Sequence, residues 1–322
     1  MRTAILAGLL LAAAGLAASA GAQIFPVRPV TLIVPFPAGG PSDTVARIVG
    51  QAMSQPLGEP VTVENIVGDA GTRAAARLAQ AAPDGYTVGM ATWSTQVVSP
   101  VVYHPSYNVF KDFAPVALLT ETPLLIVANK RIPANNLHEL IAWLKANPDT
   151  ASQGGAGGTD QLIGYMFQKL TGTRMQYLPY PGLAAAMADL IAGRIDLLFD
   201  QPSDVLAHIR SGAVKVFAVT AKHRLSVAPE IPTVDEAGLP GLYLAPFQSM
   251  WAPRGTPAPQ IARLNAAVVA ALSDPQARQR LADLAEEIVP RDRQTPSALA
   301  LDYMGEINTW WPIIRAAGIR AN

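Results

Sequence analysis

The chain has no cysteine and only four histidines in 322 residues. Without thiols it can form no disulfide, cysteine nucleophile or thiolate metal site. His104, His138, His208 and His223 are far apart and none has a second histidine at ligand spacing, so no metal site is expected. Charge of one sign is also lacking: 24 Lys and Arg balance 24 Asp and Glu, and no basic run occurs. A nucleic-acid surface needs such an excess, so no nucleic-acid partner is expected. No P-loop, G-x-S-x-G elbow or H-E-x-x-H motif occurs. The run Gly155-Ala156-Gly157-Gly158-Thr159-Asp160 starts like a dinucleotide fingerprint, but Asp160 stands where Gly or Ala is needed for helix packing. No cofactor and no catalytic residue are therefore expected, although a triad assembled from distant positions leaves no local motif.

A long apolar run occurs only at the N-terminus. Met1-Arg2 is a short basic region, residues 5–17 are rich in Leu and Ala, and Ala20-Gly21-Ala22 has the A-x-A form of a cleavage site. This reads as a secretory signal cleaved after Ala22; an uncleaved anchor is the alternative, and the small-residue end favours the signal. No later stretch is long enough to span a bilayer, so the mature chain is not expected to insert into a membrane. About 300 residues remain, enough for two domains of ordinary size.

What is present is alternation. Apolar runs at 30–34, 61–64 and 87–92 are each followed by a segment of helical period, at 43–57, 70–82 and 94–102. This β-α order predicts an α/β fold with a mainly parallel sheet and helices on its faces. Strands at 114–119 and 124–128, divided by Thr120-Glu121-Thr122-Pro123, mark a crossing into a second domain. That domain is expected to hold helices at 137–146, 161–170 and 184–192 and strands at 175–178 and 195–199, with a second crossing at the strand 214–220. The C-terminal part reads as mostly helical, at 262–272, 276–284 and 298–317. Two crossings imply two lobes, a hinge and a cleft at the carboxyl ends of the strands.

Three strand ends run into small or hydroxylic residues: 36–43, 92–95 and 154–160. Each can present N–H or hydroxyl donors at a helix N-terminus, a favourable place for an anion. Ser42 and Asp43 also fit a helix N-cap, and the glycines equally fit positive φ angles. Trp93, inside a polar loop, suits either stacking on a flat ligand or packing beneath the loop. Arg47, Arg73, Arg77 and Arg174 lie on or beside helical segments, where a solvated face is the default. Trp310 and Trp311 read as core.

The segments TLIVPFPAGGPSDTVAR, VTVENIVGDAG, APDGYTVGMAT, YNVFKDFAPVALL, LKANP, LIAGRIDLLFD, VKVFAVTAKHR, PEIPTVDEAGLPG and WAPRGTP, with Tyr180-Pro181-Gly182, occur in this order. Together they resemble the Bug-type periplasmic solute-binding proteins of tripartite tricarboxylate transporters, over essentially the whole mature chain. The resemblance implies a two-lobed periplasmic binding protein fold (type II-like) with a cleft between the lobes. Residues 23–122 and 223–322 would form lobe one, and residues 123–222 lobe two. It also implies a periplasmic, non-enzymatic protein that captures a small organic acid for a membrane permease. An exported enzyme or a ligand sensor on the same fold is the alternative.

Carried over by position, the ligand site would take Phe36, Pro37, Ala38, Gly39, Gly40 and Asp43 from the first loop, and Thr92, Trp93, Ser94 and Thr95 from the second. Lobe two would supply Gly155, Gly157, Thr159, Asp160 and Gln161, then Tyr180, Pro181, Gly182 and Asp200. Three departures bear on the ligand: Pro181 replaces a lysine common in the family, Asp160 brings an acid, and Ile66-Val67 replaces Arg-Pro. Each buried carboxylate of a ligand needs its own donors, so these changes point from a tricarboxylate toward a mono- or dicarboxylate. Trp93 and Phe36 make an aromatic acid a candidate.

Overall fold

Short runs dense in Val, Ile and Leu form the strands, and helices with apolar residues every three or four positions cover them. The computed structural model describes residues 25–156 and 158–319. The expected signal, residues 1–22, and Gly157 lie outside the described residues.

The alternation read from the N-terminal part is present as β1 (Val30–Val34), α1 (Pro41–Leu57), β2 (Val61–Asn65), α2 (Thr72–Ala79) and β3 (Thr87–Thr92). One π-helical turn (Ser94–Val98) leads through α3 (Ser99–Val102) to β4 (Phe113–Glu121). A second sheet is then built from β5 (Leu125–Asn129), α4 (Leu137–Ala146), β6 (Ser152–Gly155), α5 (Thr159–Thr171), β7 (Gln176–Pro179), α6 (Leu183–Ala192), β8 (Leu197–Asp200), α7 (Pro202–Arg210) and β9 (Val214–Val219). The chain returns as β10 (Phe247–Pro253), α8 (Ala258–Ser273), α9 (Pro275–Asp283), β11 (Glu287–Ile288) and α10 (Pro296–Ala317). Among the described residues no helix is long and apolar enough to cross a membrane.

The first sheet has the order β11-β4-β10-β3-β1-β2 and the second β7-β6-β8-β5-β9. β1 pairs in parallel with β2 (Val30 opposite Val61) and with β3 (Thr31 opposite Thr87), as expected for β-α-β units. β10, buried along its whole length, slots antiparallel between β3 and β4. The C-terminal part is expected to be mostly helical and β10 is not foreseen, because Pro246, Gln248 and Ser249 interrupt the apolar run that would announce a central strand.

The first crossing between the sheets runs from Glu121 to Leu125. The second lies further along than the strand 214–220: that segment is β9, an edge of the second sheet paired antiparallel with β5. The connector 220–246 stays with the second sheet, where Val234 N–H donates to Val219 O and Leu225, Ala228 and Ile231 join its core. The return comes only at Pro246, whose carbonyl accepts from Thr122 N–H of the outgoing crossing at 2.9 Å.

Helices α1, α8 and α9 cover one face of the first sheet with Val45, Ile48, Met53, Leu264, Val268 and Leu281. Each fully buried side chain of this kind contributes roughly 1.5–3 kcal/mol. The other face belongs to a core that runs through both crossings, joining Ile33, Trp93 and Trp310 to Ile126, Phe167 and Phe199. In lobe two, α5 lies so close to β6 that a Cβ on Gly164 would overlap the Gln153 carboxamide. That carboxamide donates from Nε2 to Asp160 O at 2.7 Å and so sets the start of α5.

Gly164→Ala is therefore expected to displace Gln153 and cost ~1–3 kcal/mol, read as a lower midpoint in urea unfolding. An unchanged midpoint would refute this packing account.

Candidate functional site

A cavity of about 370 Å³ opens between the two sheets. Lobe one contributes Phe36, Pro37, Gly40, Pro41 and Ser42 from the β1–α1 loop, and Thr92 and Ser94 from the end of β3. The crossings add Thr122, Leu124 and residues 246–248. Lobe two adds Thr159 and Asp160 at the start of α5, Leu183 of α6, and Phe199, Asp200 and Gln201 at the end of β8. A neighbouring cavity of about 260 Å³ shares Ser94, Thr159, Asp160 and Leu183 with it and extends toward Tyr103 and Ile319.

The β1–α1 loop is shaped from behind by Asp43, which is 2 % exposed. Its Oδ2 accepts from Gly39 N–H and Arg47 Nε, both at 2.8 Å, and its Oδ1 from Asn65 Nδ2 at 2.9 Å. The same Asn65 Nδ2 reaches Phe36 O at 2.9 Å. The Arg47 bond above all, helped by Gly39 and Asn65 against the cost of burial, holds the Asp43 carboxyl down at about 2. Gly39 adopts φ +81°, a left-handed turn that favours glycine. Asp43 and Gly39 thus form the loop but do not line the cavity, and the exposed Ala38 does not line it either. Neither Ser42 nor Asp43 is the N-cap: α1 starts at Pro41 after Gly40, and no side chain caps it. Its N-terminal end, with the positive end of the helix dipole, opens on the cavity through Gly40, Pro41 and Ser42.

At the second loop the hydroxyls divide. Thr95 turns inward and exchanges hydrogen bonds with Thr92, accepting from Thr92 N–H at 3.0 Å and donating to Thr92 O at 2.9 Å. Thr92 Oγ1 and Ser94 Oγ lie 3.4 Å apart on the cavity wall. Trp93 packs beneath the loop: it is 0 % exposed, donates from Nε1 to Glu306 at 2.5 Å and meets Trp310 edge to face at 5.5 Å. It cannot stack on a ligand from there. The aromatic walls are Phe36, Phe199 and Phe247.

In lobe two, Asp160 Oδ2 accepts from Ala156 N–H at 2.7 Å, and burial pushes the carboxyl up to about 6. Asp200 Oδ1 accepts from Gln201 N–H at 2.7 Å. Burial, joined by the nearby Asp204, pushes Asp200 up to about 8. Gly155 is buried at the end of β6 against Tyr177, and neither it nor Gln161 lines the cavity. Tyr180 donates to Asp189 Oδ2 at 2.7 Å, while Pro181 and Gly182 stand outside the cavity at the head of α6. Two of the three departures, Pro181 and Ile66-Val67, therefore do not face the cavity, and Asp160 does. Residues 246–248, Thr122 and Leu124 carry no loop motif in the sequence; strand β10 and the crossing bring them here.

Among the described residues, no Lys, Arg or His lines the cavity, and no group of His, Cys, Asp and Glu could hold a metal ion. Arg47, Arg73 and Arg174 pair instead with Asp43, Asp69 and Asp149 on outer faces.

Residues 45–319 match the model of a protein family described as tripartite tricarboxylate transporter family receptor. Protein BugT of Bordetella pertussis is 32% identical over 318 residues, covering 97% of this chain and 96% of its own. MatC from Rhodopseudomonas palustris, solved with bound malate, is 37% identical with a TM-score of 0.77, over 90% of this chain and 100% of that one. Another R. palustris protein, solved with adipate, is 30% identical with a TM-score of 0.79, over 92% and 99% of the two chains.

Asp43→Ala should release the Phe36–Gly40 turn and lower stability by ~2–4 kcal/mol through loss of charge-assisted bonds and an orphaned Asn65, measured by urea unfolding at pH 7. Because the folded carboxyl sits below its unfolded value of 3.8, the wild-type margin over this variant should shrink as pH falls from about 4 toward about 2. A margin constant over that range would contradict the latch.

Proposed function

This chain belongs to the tripartite tricarboxylate transporter receptor family, and from that membership and the chemistry of its cleft we propose that it captures a small organic mono- or dicarboxylate between its lobes. It would then deliver the acid to the membrane permease of a tripartite transporter, after export to the periplasm with cleavage after Ala22. The observation that carries the reading is the make-up of the cavity between the sheets. An uncapped helix N-terminus that includes Ser42, and the hydroxyls of Thr92 and Ser94, face it from lobe one, with apolar walls between; among the described residues no lysine, arginine or histidine lines it.

Such a site holds a carboxylate by N–H and O–H donors and the helix dipole. The malate and adipate bound by the two R. palustris relatives are acids of this kind. A third carboxylate would be left without a donor or counter-charge, at a cost of several kcal/mol. An aromatic acid remains within the proposal through Phe36, Phe199 and Phe247, not through Trp93. Closure would be a hinge rotation about the two crossings, with no bond made or broken.

Thermal unfolding with malate, adipate, benzoate and citrate tests this reading. A bound mono- or dicarboxylate at about 100 times its Kd adds ~2.7 kcal/mol and should raise the Tm by roughly 5 °C or more, with citrate giving the smallest shift. No shift with any acid, or the largest with citrate, would overturn it. Ser94→Ala should weaken binding of the acid about 5–10-fold, the worth of one hydrogen bond, as read by titration calorimetry.

A further inference from the structure

Two buried polar atoms of residues that line the cavity have no hydrogen-bond partner among the described residues, one from each lobe: Gln248 Oε1 and Asp200 Oδ2. Asp200 is only 1 % exposed, and its other oxygen is already occupied by Gln201 N–H. An ionised carboxylate in that position would need a cation or several donors. The charged groups whose fields reach it are both acids, Asp204 of α7 and Asp160 of α5. The flanking strands β5 and β6 carry no ionisable residue, and Asp189 of α6 is engaged by Arg194 and Tyr180. Across the cavity, Asp43 is held behind its loop by Arg47, and Glu286, another acid, accepts from Gln248 Nε2.

We propose that Asp200 serves the site as a neutral carboxylic acid whose Oδ2–H donates to a carboxylate oxygen of the bound organic acid, making it a specificity-determining donor of lobe two. The inference rests on the carboxylate-receptor reading and deepens it. The anion is then gripped from lobe one by the helix terminus and hydroxyls, and from lobe two by a proton that a buried aspartate retains at neutral pH. A ligand carboxylate facing an ionised Asp200 would be repelled. The upward push on Asp200, to about 8, has the sign this role requires: the donor is present at pH 7 and is lost above pH 8.

Two measurements test it. Side-chain carboxyl ¹³C NMR of the mature protein, with the resonance assigned from its loss in D200N, should find Asp200 protonated at pH 7 in the ligand-free state. Calorimetric titration with malate and with adipate at pH 7 and pH 9 should show affinity falling about tenfold, since one pH unit above the midpoint leaves about a tenth of the donor. In D200N, whose amide keeps a donor that does not titrate, that fall should disappear. Asp200 ionised at pH 7, wild-type affinity independent of pH, or a fall that persists in D200N would each overturn the inference while leaving the receptor reading standing. Binding of neither acid at either pH would bring down the receptor reading and this inference with it.

Discussion

Thr220, buried at the end of β9, holds together the two places where the chain passes between the sheets. Its Oγ1 accepts from Leu124 N–H at 2.9 Å and reaches Leu244 O at 2.7 Å, while its N–H donates to Leu124 O. The outgoing strand, the second sheet and the returning segment are thus tied at one buried point. Beneath it, Glu286 accepts from Thr120 Oγ1 and Gln248, and Arg293 clamps Glu121 at 2.5 Å. A hinge of this kind confines the proposed closure to a rotation about a short, hydrogen-bonded axis. It also explains why Thr122, Leu124 and residues 246–248 line the cavity: the connections between the sheets and part of the cavity wall are the same stretch of chain.

The electrostatic economy of the cleft follows from what surrounds it. The arginines near the cleft loops are spent on structure, Arg47 on Asp43 and Arg194 on Asp189, so the cavity wall keeps backbone dipoles, hydroxyls and two acids. Asp43 is held ionised because it has partners, and Asp200 is driven toward neutrality by burial and by the neighbouring Asp204. Two aspartates of the same chain, each at the junction of a strand and a helix, are therefore pushed in opposite directions for reasons visible in their neighbours. The same rule underlies the proposed ligand: a cavity that no described Lys, Arg or His lines suits an acid with few charges separated by an apolar body.

Much of the fold was legible because strand and helix periods are local. The strands Val30–Val34 and Thr87–Thr92 and the helix Leu137–Ala146 fall at the residues that their apolar spacing indicates. β10 and the helix Pro202–Arg210 were not legible. A central strand broken by Gln and Ser and a short helix opened by Pro have no clear period, and only their neighbours make them regular.

By itself, the amino-acid sequence determined the β-α alternation, the two-lobed class, the absence of thiol chemistry, and the Gly- and hydroxyl-rich strand ends that supply Phe36, Gly40, Thr92, Ser94 and Asp160 to the cleft. Only the tertiary structure decided which side of each loop faces the cavity. Trp93 and Thr95 turn beneath the surface while Thr92 and Ser94 do not, Asp43 latches its own loop, and Tyr180 gives its hydroxyl to Asp189. Loop composition specifies which donors are available, but their direction is set by partners hundreds of residues away, such as Glu306 for Trp93, and no local pattern encodes those.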